Sequence, residues 1–169
     1  MKFWSVLLRR ESTLHRKHEE IDLSLAAPFF SSLIGKPVSH VWQGAGSAIF
    51  IEFGKLHGQR KLNGEPGNPT GDVTLMIEWS WRIERARSIL GGSWTSERRW
   101  EKMFEKLIGE TVVDVECFGT LPEICLSLGN GMRVLSFMTA SGQPQWAILT
   151  RHPSMGSLSV KGGKLFVGK

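Results

Sequence analysis

The sequence predicts an α+β protein built from two tandem repeats, each a helix followed by a mainly antiparallel four-stranded meander. The evidence is an internal repeat, apolar stripes at helical spacing and strands with period-two alternation. The repeated positions are apolar residues and a glycine, which indicates a duplicated packing unit. Phe30, Leu33, Ile34, Gly35, Val38 and Val41 recur as Phe104, Leu107, Ile108, Gly109, Val112 and Val115. We expect a pseudo-twofold relation between the repeats, within one sheet, a sandwich or a partial barrel.

The first repeat is predicted to span residues 26–94, after a charged lead-in over 1–25. Pro28 suits the first turn of a helix, and Gly35 can end that helix because glycine accepts the left-handed conformation. The run Val73–Glu84 alternates strictly and predicts one long strand. Further strands are expected at Val38–Gln43, Ala48–Phe53 and Ser88–Leu90, with a Gly/Pro-rich loop over Lys55–Gly71.

The second repeat is predicted over residues 95–150. Thr95 or Ser96 can cap a helix whose apolar stripe includes Trp100 and Phe104, and Gly109 ends it. Four strands follow, at about Val112–Cys117, Glu123–Leu128, Met132–Met138 and Gln145–Thr150. Residues 151–169 form a basic, Gly/Ser-rich extension with a predicted small hairpin.

The basic charge of the chain is concentrated at its two ends. The net charge is +5, yet residues 21–149 are close to neutral, while residues 150–169 carry four basic and no acidic side chains. These four, Arg151, Lys161, Lys164 and Lys169, suit contacts with phosphates, which makes nucleic-acid binding one alternative function. The simpler interpretation is that the charged ends are solvated tails that increase solubility.

The sequence contains no motif for a metal, a cofactor or a known catalytic constellation. Cys117 and Cys125 are the only cysteines and are interpreted as free buried thiols. We find no zinc-type Cys/His spacing, phosphate-binding loop or serine-hydrolase motif. No apolar run approaches the ~20 residues of a membrane helix. We therefore expect a cytoplasmic protein without a cofactor or a membrane partner.

The strongest candidate site lies on the polar face of the predicted strand Val73–Glu84. Glu78, Arg82 and Glu84 share that face, and Glu52 points the same way from the preceding strand. We hypothesise that Glu52, Glu78 and Arg82 form one cluster. The competing interpretation is that these residues form ordinary Glu–Arg pairs between neighbouring strands, without a binding role. His40 and Trp42 share a face of the first strand and complete the candidate binding set.

Three strings of the sequence are distinctive: Ser47-Ala48-Ile49-Phe50-Ile51-Glu52-Phe53-Gly54, Met76-Ile77-Glu78-Trp79-Ser80-Trp81-Arg82-Ile83-Glu84 and Leu121-Pro122-Glu123. They resemble a family of small bacterial proteins without an established activity, and the resemblance covers about residues 28–150. It implies a small cytoplasmic bacterial protein and transfers no catalytic residues.

The sequence favours a non-enzymatic protein-binding module. Seven tryptophans without a tyrosine, some of them beside arginine, suit a protein interface. One concrete form is an immunity-type or antagonist protein that masks a partner. Two alternatives stay open: nucleic-acid binding through the basic ends, and a small-ligand protein or hydrolytic enzyme that uses Glu52, Glu78 and Arg82.

Overall fold

The computed structural model describes residues 23–141 and 145–168. Most of the predicted lead-in, together with Lys169, therefore lies outside the described residues. The secondary structure is mainly β, in this order: α1 (Ala27–Leu33), β1 (Val38–Gln43), β2 (Ile49–Phe53), β3 (His57–Arg60), β4 (Pro66–Thr70), β5 (Val73–Ile77), β6 (Trp81–Arg85), β7 (Ser88–Gly92), α2 (Trp100–Glu105), β8 (Val112–Phe118), β9 (Glu123–Leu128), β10 (Met132–Ser136), β11 (Trp146–Thr150), β12 (Ser157–Lys161) and β13 (Lys164–Gly168). Single 3₁₀ turns, Leu23–Leu25 and Glu97–Arg99, precede the two helices.

The described strands form two main antiparallel sheets and one small hairpin. The first sheet has six strands in the order β1-β2-β5-β11-β12-β13, and the second has five in the order β7-β6-β10-β9-β8. β1, β2 and β5, which follow α1, lie together in the six-stranded sheet, and β8, β9 and β10, which follow α2, lie together in the five-stranded sheet. In each sheet, the remaining strands come from the other half of the chain. The structure is thus compatible with an α+β sandwich rather than with one continuous sheet.

Both sheets and both helices contribute to one hydrophobic core. Ile77 and Ile148 enter it from the six-stranded sheet, and Ile83 and Leu126 enter it from the five-stranded sheet. All four side chains are essentially excluded from water. Burial of each such side chain contributes roughly 1.5–3 kcal/mol, so the shared core is what holds the two sheets together.

The segments that follow the two helices pair with each other through reciprocal hydrogen bonds. Gly35 N donates to Val112 O at 2.9 Å, and Gly109 N donates to Val38 O at 2.7 Å. Val38 N and Val112 N donate in turn to the carbonyls of Glu110 and Lys36. Gly35 and Gly109 have φ angles of +80° and +89°, the region that favours glycine. The repeated glycines thus turn the chain into this contact.

The run Val73–Glu84 is two strands rather than one. Glu78 N donates to Gln145 O at 2.9 Å in the six-stranded sheet, whereas Ser80 O accepts from Phe137 N at 2.8 Å in the other sheet. The chain therefore changes sheets between Glu78 and Ser80. The alternation of apolar and polar residues in the sequence continues through this crossover. The reason is that Ile77 before it and Trp81 after it both point into the shared core. The sequence pattern alone does not reveal such a change of sheet.

The predicted loop Lys55–Gly71 contains the β3–β4 hairpin. Its strands pair from His57 with Thr70 to Arg60 with Pro66. The hairpin closes at Gly64, and Lys61 N donates to Glu65 O at 2.8 Å. Most of its residues are exposed. Because no hydrophobic face is required, the segment has no alternation from which strands could be predicted.

Candidate functional site

Glu52 is a fully buried carboxylate that accepts three hydrogen bonds. Its Oε1 accepts from Trp42 Nε1 at 2.9 Å, and its Oε2 accepts from Gly71 N at 2.8 Å and from Thr74 Oγ1 at 2.5 Å. The exposed fraction of Glu52 is 0%. A buried carboxylate requires such partners. Here they tie β1 and β5 to the turn at Gly71, which is a structural role.

Trp42 and His40 lie beside Glu52 on the same side of the six-stranded sheet. His40 pairs with Glu52 across β1 and β2, and Trp42 pairs with Phe50. The rings of Trp42 and Phe50 are stacked, with centroids 4.0 Å apart. His40 Nε2 is buried and has no hydrogen-bond partner among the described residues.

The predicted cluster of Glu52, Glu78 and Arg82 is not formed. Glu52 belongs to β2 of the six-stranded sheet, Glu78 lies in the crossover, and Arg82 belongs to β6 of the other sheet. The hypothesis was wrong for two reasons. Glu52 pairs with Thr74 of β5, so Glu78 lies four residues farther along the chain, about 13 Å away. The change of sheet between Glu78 and Ser80 then places Arg82 in the five-stranded sheet.

Arg82 and Glu84 take part in a different charged group on the five-stranded sheet. Arg133 Nη2 donates to Glu84 Oε2 at 2.8 Å, and Arg82 Nε lies against Glu84 Oε1 as an ion pair without hydrogen-bond geometry. The Arg82 guanidinium also lies 4.3 Å from the ring centroid of Phe137. Both arginines are more than a third exposed. Exposed pairs of this kind contribute up to about 1 kcal/mol.

An acidic groove lies between β1 and the helical segment 97–105. We define it by His40, Trp42, Glu97, Glu101 and Glu105, and its volume is about 400 Å³. The glutamates recur every four residues, so they line one side of the helical segment. Sequence reasoning missed these glutamates, although their spacing was visible. Only the fold shows that this side of α2 faces the groove.

Two exposed tryptophans occupy one end of the β6–β7 pair, which we call the Trp corner. Trp94 is 93% exposed and Trp79 is 51% exposed. The chain segments that carry them are adjacent, since Ser93 N donates to Trp81 O at 3.0 Å. Trp79 occupies one of the alternating apolar positions of the run Val73–Glu84, a pattern that predicts a core position beside Ile77 and Trp81. The crossover instead leaves Trp79 exposed.

The Trp corner and the acidic groove are connected through the β1–β2 turn and the buried Trp81. Ser47 Oγ donates to Trp79 O at 2.6 Å, and Trp81 Nε1 donates to Ser47 O at 2.7 Å, so the β1–β2 turn is fixed beneath the corner. The buried ring of Trp81 packs edge-to-face on Trp100 of the groove, with centroids 5.1 Å apart. Trp81 therefore contacts both the turn beside the Trp corner and the wall of the acidic groove.

Among the described residues, the predicted phosphate-binding side chains fall at two separate places. Lys161 and Lys164 pair at the tip of the β12–β13 hairpin. Arg151 follows β11 near the opposite end of β12, where Thr150 N donates to Gly156 O. The length of β12 between these ends corresponds to about 15 Å.

The described residues offer no alternative metal or redox site. No group of three or more His, Cys, Asp or Glu side chains with a metal-binding arrangement occurs within 23–141 and 145–168. Cys117 and Cys125 are free thiols. They project to opposite faces, because Cys117 pairs with Ile124 and Cys125 pairs with Glu116. Among the helices that the structure describes, none has the length and apolar character required to span a membrane.

Comparisons with protein families, with curated proteins and with solved structures give no match to this chain. The evidence for function is therefore the geometry of its own surfaces.

Proposed function

We propose that this protein is a non-enzymatic protein-binding module of the immunity or antagonist type. The observation that carries the proposal is the exposure of Trp79 and Trp94 together at one corner of a rigid sheet. Tryptophan is enriched among the residues that dominate binding energy at protein interfaces. An exposed indole also presents a large apolar area at low entropic cost.

The partner is a protein with a basic surface. Glu97, Glu101 and Glu105 line the acidic groove, and Trp100 of the groove wall contacts Trp81 next to the Trp corner. Arginine and lysine side chains of a partner would pair with these carboxylates, and a guanidinium can also stack on an indole. Charge complementarity of this kind accelerates association and excludes wrong partners.

The proposal is tested by affinity purification of the tagged full-length chain from its native cells, with and without nuclease, followed by binding measurements on the partner recovered. W79A and W94A should each weaken binding by about tenfold or more, since interface hot spots contribute about 2 kcal/mol. L62A is the matched control, because Leu62 is fully exposed in the β3–β4 turn, away from this surface. Full-strength binding by a W79A/W94A double variant would contradict the proposal.

Three further results separate the alternatives. E97Q, E101Q and E105Q in combination should reduce the association rate and its dependence on salt. Partners that disappear with nuclease would instead favour nucleic-acid binding through Arg151, Lys161, Lys164 and Lys169. For the immunity form, co-expression with a neighbouring toxin gene should restore growth, and a failure of every neighbour to do so would reject that form.

We also propose that the body is built from two tandem units of a helix and a four-stranded meander. The reciprocal hydrogen bonds of Gly35 and Gly109 support this proposal. The two sheets also support it, because both are assembled from strands of both halves of the chain. The six-stranded sheet combines β1, β2 and β5 of the first unit with β11 of the second unit and with β12 and β13 of the extension. The five-stranded sheet combines β8, β9 and β10 of the second unit with β6 and β7 of the first. The family resemblance and the bacterial origin remain predictions.

A further inference from the structure

A second feature of the fold is a cavity that the proposed interface does not use. It has a volume of about 750 Å³ and lies where the end of α1, the start of β5 and the loop after β11 meet. Small-molecule sites in proteins typically measure about 300–1,000 Å³. The cavity is therefore large enough for a ligand of moderate size.

The cavity wall combines an apolar part with two cationic side chains. Ile34, Val73 and Met155 supply the apolar part, and Lys36 and Arg151 supply the charges. Within the described part of the chain, neither cation is ion-paired with a carboxylate. Arg151 Nη1 donates to Thr70 Oγ1 at 3.1 Å, which leaves its other guanidinium donors available.

The one carboxylate in the wall, Asp72, already has partners. Its Oδ1 lies 3.0 Å from His57 Nε2, and its Oδ2 accepts from Lys55 N at 2.9 Å. The backbone carbonyl of Asp72 accepts from Arg151 N at 3.0 Å, which holds the loop after β11 against the cavity. Asp72 thus holds the wall in place. Together with Lys36 and Arg151, it gives the wall a net positive charge.

We propose that this cavity binds a small molecule in which an anionic head group, a carboxylate or a phosphate, is joined to an apolar tail. Lys36 and Arg151 hold the head group through charge-assisted hydrogen bonds. The tail lies against Ile34 and Met155. This site is independent of the Trp corner and the acidic groove, since they share no lining residue.

Calorimetric titration of the full chain tests the proposal. The probes are octanoate and octyl phosphate, with octylamine as the charge-reversed probe and acetate and inorganic phosphate as probes without a tail. Octanoate or octyl phosphate should bind, and the tighter of the two identifies the head group. K36Q and R151Q should each weaken that binding by about tenfold. I34Q should weaken it through the tail, and Ile34 is exposed enough to be replaced without unfolding.

K164Q is the matched control, because Lys164 carries the same charge at the tip of the β12–β13 hairpin. It should bind the probes as the wild type does. The proposal is overturned if neither octyl anion binds, or if octylamine binds equally well. It is also overturned if K36Q and R151Q retain wild-type affinity. Equal affinity for acetate or inorganic phosphate would overturn the role of the apolar wall.

Discussion

Replacement of Glu52 by glutamine tests whether this buried carboxylate is structural. Its two oxygens accept from Trp42 Nε1, Gly71 N and Thr74 Oγ1. A glutamine side chain has one acceptor oxygen in place of two. If that oxygen faces Gly71 and Thr74, the new amide group meets the indole N–H of Trp42, donor against donor. E52Q therefore loses one charge-assisted hydrogen bond and weakens the other two.

The expected loss in the free energy of unfolding follows from these contacts. A hydrogen bond to a charged group contributes about 1.5–3 kcal/mol. Removal of the charge also removes its desolvation cost, so we expect a loss near the lower end, about 2 kcal/mol. For a protein of this size, that corresponds to a decrease in Tm of about 4–8 °C. E52L leaves the buried Gly71 N–H without any acceptor, and it should destabilise the protein more than E52Q does.

Urea unfolding monitored by tryptophan fluorescence and by circular dichroism measures this loss. E78Q is the matched control, because Glu78 is half-buried and its side chain makes no ion pair among the described residues. Its free energy of unfolding should stay within about 0.5 kcal/mol of the wild type. If E52Q is as stable as E78Q, the structural interpretation of Glu52 is refuted.

Two further predictions concern titratable groups. The hydrogen bond with His57 and the one from Lys55 N hold the pKa of Asp72 below its ordinary value of 3.8. A group whose pKa is lowered by folding stabilises the protein above its ordinary pKa, and this contribution is lost as the pH falls through the folded value. D72N should thus be less stable than the wild type at pH 7, with a difference that shrinks below about pH 4; a constant difference in thermal melts from pH 7 to below that range would contradict this. Burial raises the pKa of the Cys117 thiol to about 12, and burial also raises the pKa of Cys125. Since the thiolate is the reactive form, modification by a disulfide reagent at about pH 8 should be more than about a hundredfold slower in the native protein than in denaturant. Equal rates would show that the thiols are accessible.

The helices and most strands could be predicted from the sequence because their signals are local. The α1 helix ends close to where Gly35 indicates, and β2 falls where apolar alternation indicates it. These patterns reflect backbone geometry and one buried face, which a single segment records by itself. The segment Lys55–Gly71 is the exception, because its exposed hairpin buries too little to leave a pattern.

The candidate site was harder to predict because it depends on which strands become neighbours. Glu52 and Arg82 would share a face of one sheet only if Val73–Glu84 stayed in that sheet, and it does not. Trp79 is exposed for the same reason, because it lies at the point where the chain changes sheets. Neither Trp94 nor Lys36 belongs to a motif, and their surroundings come from segments distant in the chain.

The sequence by itself determined that the chain is rich in antiparallel strands, and it determined the apolar positions and the repeated glycines at 35 and 109. These depend on local conformation and on hydrophobic periodicity, which are properties of short segments. Only the tertiary structure decided that two sheets share one core and that strands from both halves of the chain complete each sheet. It also decided which polar side chains meet, because strand pairing depends on the combined packing of distant segments and leaves no local record.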